Sequence, residues 1–180
     1  MASTLKINNI DTASGTTITL PTGKTLVGTD EGAFRVPGTI LQVVDVTGTT
    51  TGSTTSTTNV RVGIEAAITP KSSSSKIIVL CSATLRWQHG DCGFTALHRK
   101  IGSGSYSEIK TFSRHTHYRS FDTSASSGQQ VPINYVDSPA TTDTVTYQWA
   151  MNRFSSGTAT FLPNPSNGDS QNWTLMEIAQ

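Results

Sequence analysis

Apolar and polar positions alternate along three stretches of the chain. From Lys76 to Gln88, one side collects Ile77, Val79, Cys81, Ala83, Leu85 and Trp87. The opposite side begins with Ile78 and Leu80 and then turns polar with Ser82, Thr84, Arg86 and Gln88. From Thr144 to Arg153, Val145, Tyr147, Trp149 and Met151 oppose Thr146, Gln148, Ala150 and Asn152, and near the end Trp173 and Leu175 alternate with Thr174 and Met176. A period of two with one polar side predicts half-buried antiparallel strands over a shared core. Shorter strand candidates are Thr39–Val46, Val60–Ile68, Phe94–Ile101, Ile133–Val136 and Ala159–Leu162. No stretch repeats with helical period. About eight strands separated by turn residues predict an all-β fold, an antiparallel β-sandwich of jelly-roll type.

Residues 1–38 follow another pattern. Leu5, Ile7, Ile10, Ile18, Leu20, Leu26 and Val27 stand in ones and twos between Gly15, Gly23, Gly28 and Gly32. So few apolar groups cannot build a core within one copy. We therefore expect 1–38 to be an attachment and oligomerisation segment whose apolar side chains are shared between copies wound about a common axis. The alternative is a tail that orders only when docked. Residues 39–180 form the head.

Within the leading segment, Thr22-Gly23-Lys24-Thr25 matches the end of a phosphate-binding P-loop. That motif needs a glycine at position 18, where Ile stands, and a helix afterwards, where the chain has Thr25, Leu26, Val27 and Gly28. Pro21-Thr22-Gly23-Lys24 reads instead as a tight turn.

Composition sharpens the class. Hydrophobic residues make up 34% and charged residues 14%, both low for a globular domain, and Ser and Thr fill the deficit. Thr favours strands, and Ser, Gly and Pro favour turns. The net charge of +1 supplies no field for nucleic acid or anionic membrane. No apolar run approaches the ~20 residues of a membrane helix, and Met1-Ala2-Ser3-Thr4 opens no signal peptide, which predicts synthesis and assembly in the cytoplasm. Cys81 and Cys92 fit that compartment as free thiols, with a disulfide between them as the alternative. "TGTTTGSTTSTTN", 47–59, reads as an exposed loop or edge hairpin, and 102–131 as an irregular zone where contact residues would concentrate.

Five phrases in order, "MASTLKINNI", "GTILQVVDV", "AAITPKSSSSKIIVL", "DSPATTDTVTYQW" and "NWTLMEIAQ", resemble a family of small virion proteins of tailed phages, many from marine bacteria. Its members are described as tail-fibre or structural proteins. The likeness spans nearly the whole chain and is loosest between 102 and 132. It implies a homotrimeric fibre or knob in the virion, attached through its N-terminal segment to another virion protein, with a head that contacts a glycan or protein of the host surface. A head fibre or capsid decoration is the other position it allows. It brings no catalytic residues and no cofactor.

Candidate contact residues lie in the irregular zone. Tyr106, Tyr118 and Phe121 offer aromatic faces, and Arg114 and Arg119 can form paired hydrogen bonds with carboxylates or phosphates. His115 and His117, two apart, would share one side of a strand, and in a trimer three such pairs could surround a transition metal on the axis. Flanking Arg114, Tyr118 and Arg119 argue for a solvent-facing recognition loop instead. Glu65 and Glu177 interrupt apolar strands, which predicts structural pairing with Arg35, Arg61, Arg86 or Arg99 rather than catalysis. No hydrolase constellation is present in the order of residues, so an envelope-glycan hydrolase is the least supported class.

Overall fold

In the computed structural model the described residues are 21–25, 27–28, 36–87, 92–112, 115–116, 128–154, 157–162 and 164–180. The chain falls into two compact units, Met1–Ala33 and Phe34–Gln180. Of the first, the described part is the turn. The Lys24 amide donates to the Pro21 carbonyl at 3.1 Å, and Gly23 sits at φ +78°. A left-handed third residue marks a type II turn, which glycine enters without strain. The Lys24 N–H is thus spent inside the turn, as the sequence predicts.

The described residues of the second unit contain twelve strands: β1 (Ile40–Gly48), β2 (Gly52–Thr54), β3 (Val60–Ile68), β4 (Lys76–Trp87), β5 (Cys92–Gly93), β6 (Thr95–Ile101), β7 (Ser107–Thr111), β8 (His115–Thr116), β9 (Gly128–Asp137), β10 (Val145–Met151), β11 (Ala159–Phe161) and β12 (Gln171–Ile178). Beyond a 3-10 turn at Pro165–Asn167, no helix occurs among the described residues. One sheet runs β1-β12-β4, with β9 on the other edge of β4 and β2-β11 continuing the β1-β12 pair along it. The second runs β3-β10-β6-β7. Among the eight principal strands the first pairs with the last (β1–β12), the second with the seventh (β3–β10), the third with the sixth (β4–β9) and the fourth with the fifth (β6–β7), all antiparallel. That nesting is one long antiparallel ribbon rolled into two facing sheets. It is the jelly-roll order.

The periodic residues form the core. Ile77, Val79, Ala83 and Leu85 of β4 and Val145, Tyr147, Trp149 and Met151 of β10 are fully buried between the sheets, with Ile133, Trp173 and Leu175. Trp149 and Phe161 meet across the layers with ring centroids 5.8 Å apart, tilted by 59°. Cys81 is buried among them as a free thiol. Two polar ties bridge the sheets, and a third pins the β3–β4 connection to the first sheet. A bulge in β3 puts Gly63 at φ +74°, and the fully buried Gln171 of β12 accepts the Ile64 amide at 2.9 Å. At one end Arg99 of β6 bonds both oxygens of Asp137 at 2.8 and 2.9 Å, and Tyr147 donates to the same carboxylate. Glu177, fully buried, accepts the Lys71 amide at 2.8 Å, the Ser72 amide at 3.3 Å and the Gln42 side-chain amide at 2.6 Å. Main-chain N–H groups and a neutral amide stand where the sequence suggested an arginine.

The irregular zone departs from the sequence expectation, and the Thr-rich stretch takes its edge alternative. Ser107–Thr111, in the zone taken as irregular, is a ladder strand against β6, and Gly128 already begins β9. Within the Thr-rich stretch, Gly52–Thr54 extends the first sheet by pairing with β11. Main-chain hydrogen bonds hold these strands; their side chains carry too little apolar alternation to announce them.

Candidate interaction faces

Each sheet turns one side to the core and one outward, and the outward sides differ. On the first sheet, register aligns residues into transverse rows across β1, β12, β4 and β9. One row is Val43–Met176–Ile78–Val136. The next is Asp45–Thr174–Leu80–Asn134, and the third Thr47–Asn172–Ser82–Pro132. Val43 is 51% and Val136 55% exposed, and Ile40, which pairs with Ile178 at the near end of β1, is 53% exposed. An apolar band therefore crosses one end of a sheet face. Beyond it the face becomes polar but carries little charge. Leu80, Ser82, Pro132, Asn134, Asn172 and Thr174 line a shallow cleft of about 220 Å³. Thr174 donates to Asp45 at 2.7 Å and Thr47 to Asn172 at 3.1 Å, so the strands are tied laterally. Soluble single-copy domains seldom leave a contiguous apolar band uncovered.

The outward side of the second sheet is ionic. Arg61 of β3 lies 4.3 Å and Lys100 of β6 4.8 Å from the centre of the Tyr106 ring. Lys100 is 3.3 Å from Glu65. The Tyr106 hydroxyl is buried beside the Glu65 carboxylate without a closed hydrogen bond. That hydroxyl, with Lys100 and Arg61, holds Glu65 below the usual carboxylate range against partial desolvation. Burial first, and then Glu65, pushes the phenol up. Next to this cluster Glu108 accepts Asn59 at 2.7 Å and the Thr111 hydroxyl, while His98 Nε2 stands 3.6 Å from it. Both His98 nitrogens are buried without a hydrogen-bond partner among the described residues, and desolvation draws the imidazole pKa down. Glu108 itself is held low by the Thr111 and Asn59 hydrogen bonds.

Of the sequence-predicted contact residues, Tyr106 belongs to this ionic cluster, with its ring under two cations. The backbone of His115 pairs with Gly93 in a short two-stranded ladder. Arg114, His117, Tyr118, Arg119 and Phe121 lie outside the described residues, as do Leu5, Ile7, Ile10, Ile18, Leu20 and Leu26. Val27 is 73% exposed. Among the described residues no three His, Cys, Asp or Glu side chains converge on a metal position. Arg61 lies near Glu65, as one of the arginines the sequence offered it; sequence reasoning missed Lys100 and the transverse apolar row. The signal for the row was present in Ile78 and Leu80, the apolar start of the otherwise polar side of β4.

No protein-family model matches the chain, and no curated protein matches it in sequence. Among solved structures, the infectious bursal disease virus Gx strain gives a TM-score of 0.43 at 9% identity over 77% of this chain and 32% of the other. The Gt strain gives 0.39 at 12%, over 87% and 43%. The crystal structure of the same virus's VP2 subviral particle gives 0.41 at 11%, over 87% and 42%. The chain thus spans well under half the length of each of these chains. The class of protein defined here, an all-β jelly-roll head with one apolar and one ionic outward face, rests on strand pairing and register.

Proposed function

We propose that the chain is a non-enzymatic structural protein of a bacteriophage virion. Its jelly-roll head projects from the particle, and its leading segment joins three copies and attaches them to another virion protein. The observation that carries this reading is the division of labour between the two sheets. The face of the first is flat, nearly uncharged and apolar at one end, suited to protein–protein assembly. The face of the second presents arginine, lysine and tyrosine together, groups suited to the anionic and sugar-bearing surface of a bacterial envelope. The phrase-by-phrase resemblance to phage virion proteins supports the same conclusion independently. The tail-fibre or receptor-binding form of this reading assigns host contact to the loops between 102 and 131 and to the neighbouring Arg61–Tyr106–Lys100 cluster. The breadth of the apolar face favours a second form, in which the head decorates or projects from the capsid.

The test is made on intact particles. Altering Tyr118 or Arg119, or reversing charge with Lys100→Glu, is expected to abolish adsorption while leaving particle yield and protein content unchanged. Normal adsorption, with many copies of the chain at capsid symmetry axes, would replace host contact with decoration. Particles that lack the chain altogether would refute the virion assignment.

A further inference from the structure

The apolar row on the first sheet calls for a cover, and its sequence of side chains indicates which. Read from β1 to β9 the row is Val43, Met176, Ile78, Val136, a β-branched residue at each end and a longer apolar one at each middle position. It is nearly palindromic. We propose that this face is a copy-to-copy interface, in which the β1–β12 half of one head packs on the β4–β9 half of the next. The contact axis runs parallel to the strands.

In that arrangement Val43 meets Val136 of the next copy, and Met176 meets its Ile78. Rows oppose rows of the same kind. The apolar band is covered by an apolar band, and in the next row Asp45 meets the Asn134 amide of the next copy while Thr174 meets its Leu80. A shift along the strands by one row would set the apolar band against Asp45 and Asn134, so the pattern also fixes register. Size agrees. Four strands about 4.8 Å apart and the length of β1 give a face on the order of 500 Å² in projection, which side-chain relief carries toward the ~800 Å² of accessible surface per partner in a stable complex. The low charge of the face matches the centre of such interfaces. A partner with its own chemistry would leave the symmetry of the row unexplained; a second copy accounts for it. The inference does not depend on where, or whether, the head is mounted on a particle.

Cysteine pairing in the full-length chain tests it. The double variant Val43→Cys/Val136→Cys is expected to form disulfides between copies under mild oxidation, giving a covalent dimer on a non-reducing gel. Each single variant should give none above background. Within one copy β1 and β9 are separated by two strands, roughly 14 Å, so an internal bridge is out of reach. Adding Met176→Asp to the double variant is expected to lower the crosslinked fraction at least tenfold. Absence of the intermolecular crosslink in the double variant, or a crosslinked fraction untouched by Met176→Asp with the head still folded, overturns the proposal. A face covered by some other protein would give the first of those results.

Discussion

The Tyr147 hydroxyl donates a 2.7 Å hydrogen bond to Asp137 Oδ2 from inside the core, where Tyr147 is wholly buried and Asp137 is 5% exposed. Arg99 supplies the compensating charge at 2.8 Å. These three side chains come from β10, β9 and β6, so they lock the two sheets together at one end. Asp137→Ala strands both a guanidinium and a phenol and is expected to cost about 3–5 kcal/mol in urea unfolding. Tyr147→Phe leaves the ion pair intact and is expected to cost about 1–3 kcal/mol. Equal losses in the two variants would show that Arg99 contributes nothing.

The same pair sets an alkaline limit. Burial, and then the Asp137 carboxylate, raise the Tyr147 hydroxyl well above its ordinary value of 10.0. An acid whose folded pKa is raised stabilises the fold fully below its unfolded pKa and loses that contribution as pH climbs past it. Wild-type stability is therefore expected to fall above about pH 10, and Tyr147→Phe to lack that component. Parallel pH profiles for the two proteins would contradict this placement of the phenol.

Gly63 is the residue on which the bulge in β3 depends. A Cβ there would run into Gln171 Oε1 and come within 2.6 Å of Phe161 Cε1, on a backbone already at φ +74°. Gly63→Ala is expected to destabilise the head by roughly 2–4 kcal/mol, combining left-handed strain with overpacking. Gly23, also at positive φ but with open space around it, serves as the control. Its Ala variant should move the melting temperature far less.

His98 predicts an acid limit distinct from that of the carboxylates. Its folded pKa is drawn below 6.5 chiefly by burial, so the neutral ring is favoured in the fold. A depressed pKa contributes stability that is present above the unfolded value and is lost as pH falls through the folded one. Glu65 and Glu108, also depressed, act in the same direction but from an ordinary value of 4.5. Unfolding free energy should begin to decline as pH falls below about 6.5 in wild type and stay level in His98→Gln until the carboxylates begin to titrate.

Much of this architecture was legible in the order of residues. The alternation in Lys76–Trp87 and Val145–Met151 gave two central strands and their inward sides, because each has one wholly apolar face. The tight turn at Gly23 followed from the failure of the P-loop spacing. Ser107–Thr111 and Gly52–Thr54 were hidden, since their strand character comes from ladder hydrogen bonds with β6 and β11. The bulge at Gly63 was not read from the sequence, although an isolated glycine inside a strand is its usual signal. The transverse row was beyond reach in one dimension: Val43, Ile78, Val136 and Met176 become neighbours only when strand order and register are known. Arg61, Lys100 and Glu65 gather for the same reason around Tyr106, which the sequence had named as a contact residue without these neighbours.

The account as a whole is tested most directly by a map of the purified phage particle at a resolution that separates sheets. It is expected to contain this eight-stranded head in symmetric clusters, their first sheets facing one another and their Arg61–Tyr106–Lys100 faces outward. Density with the ionic face buried and the Val43–Val136 row in solvent would contradict it, as would particles in which the head is absent.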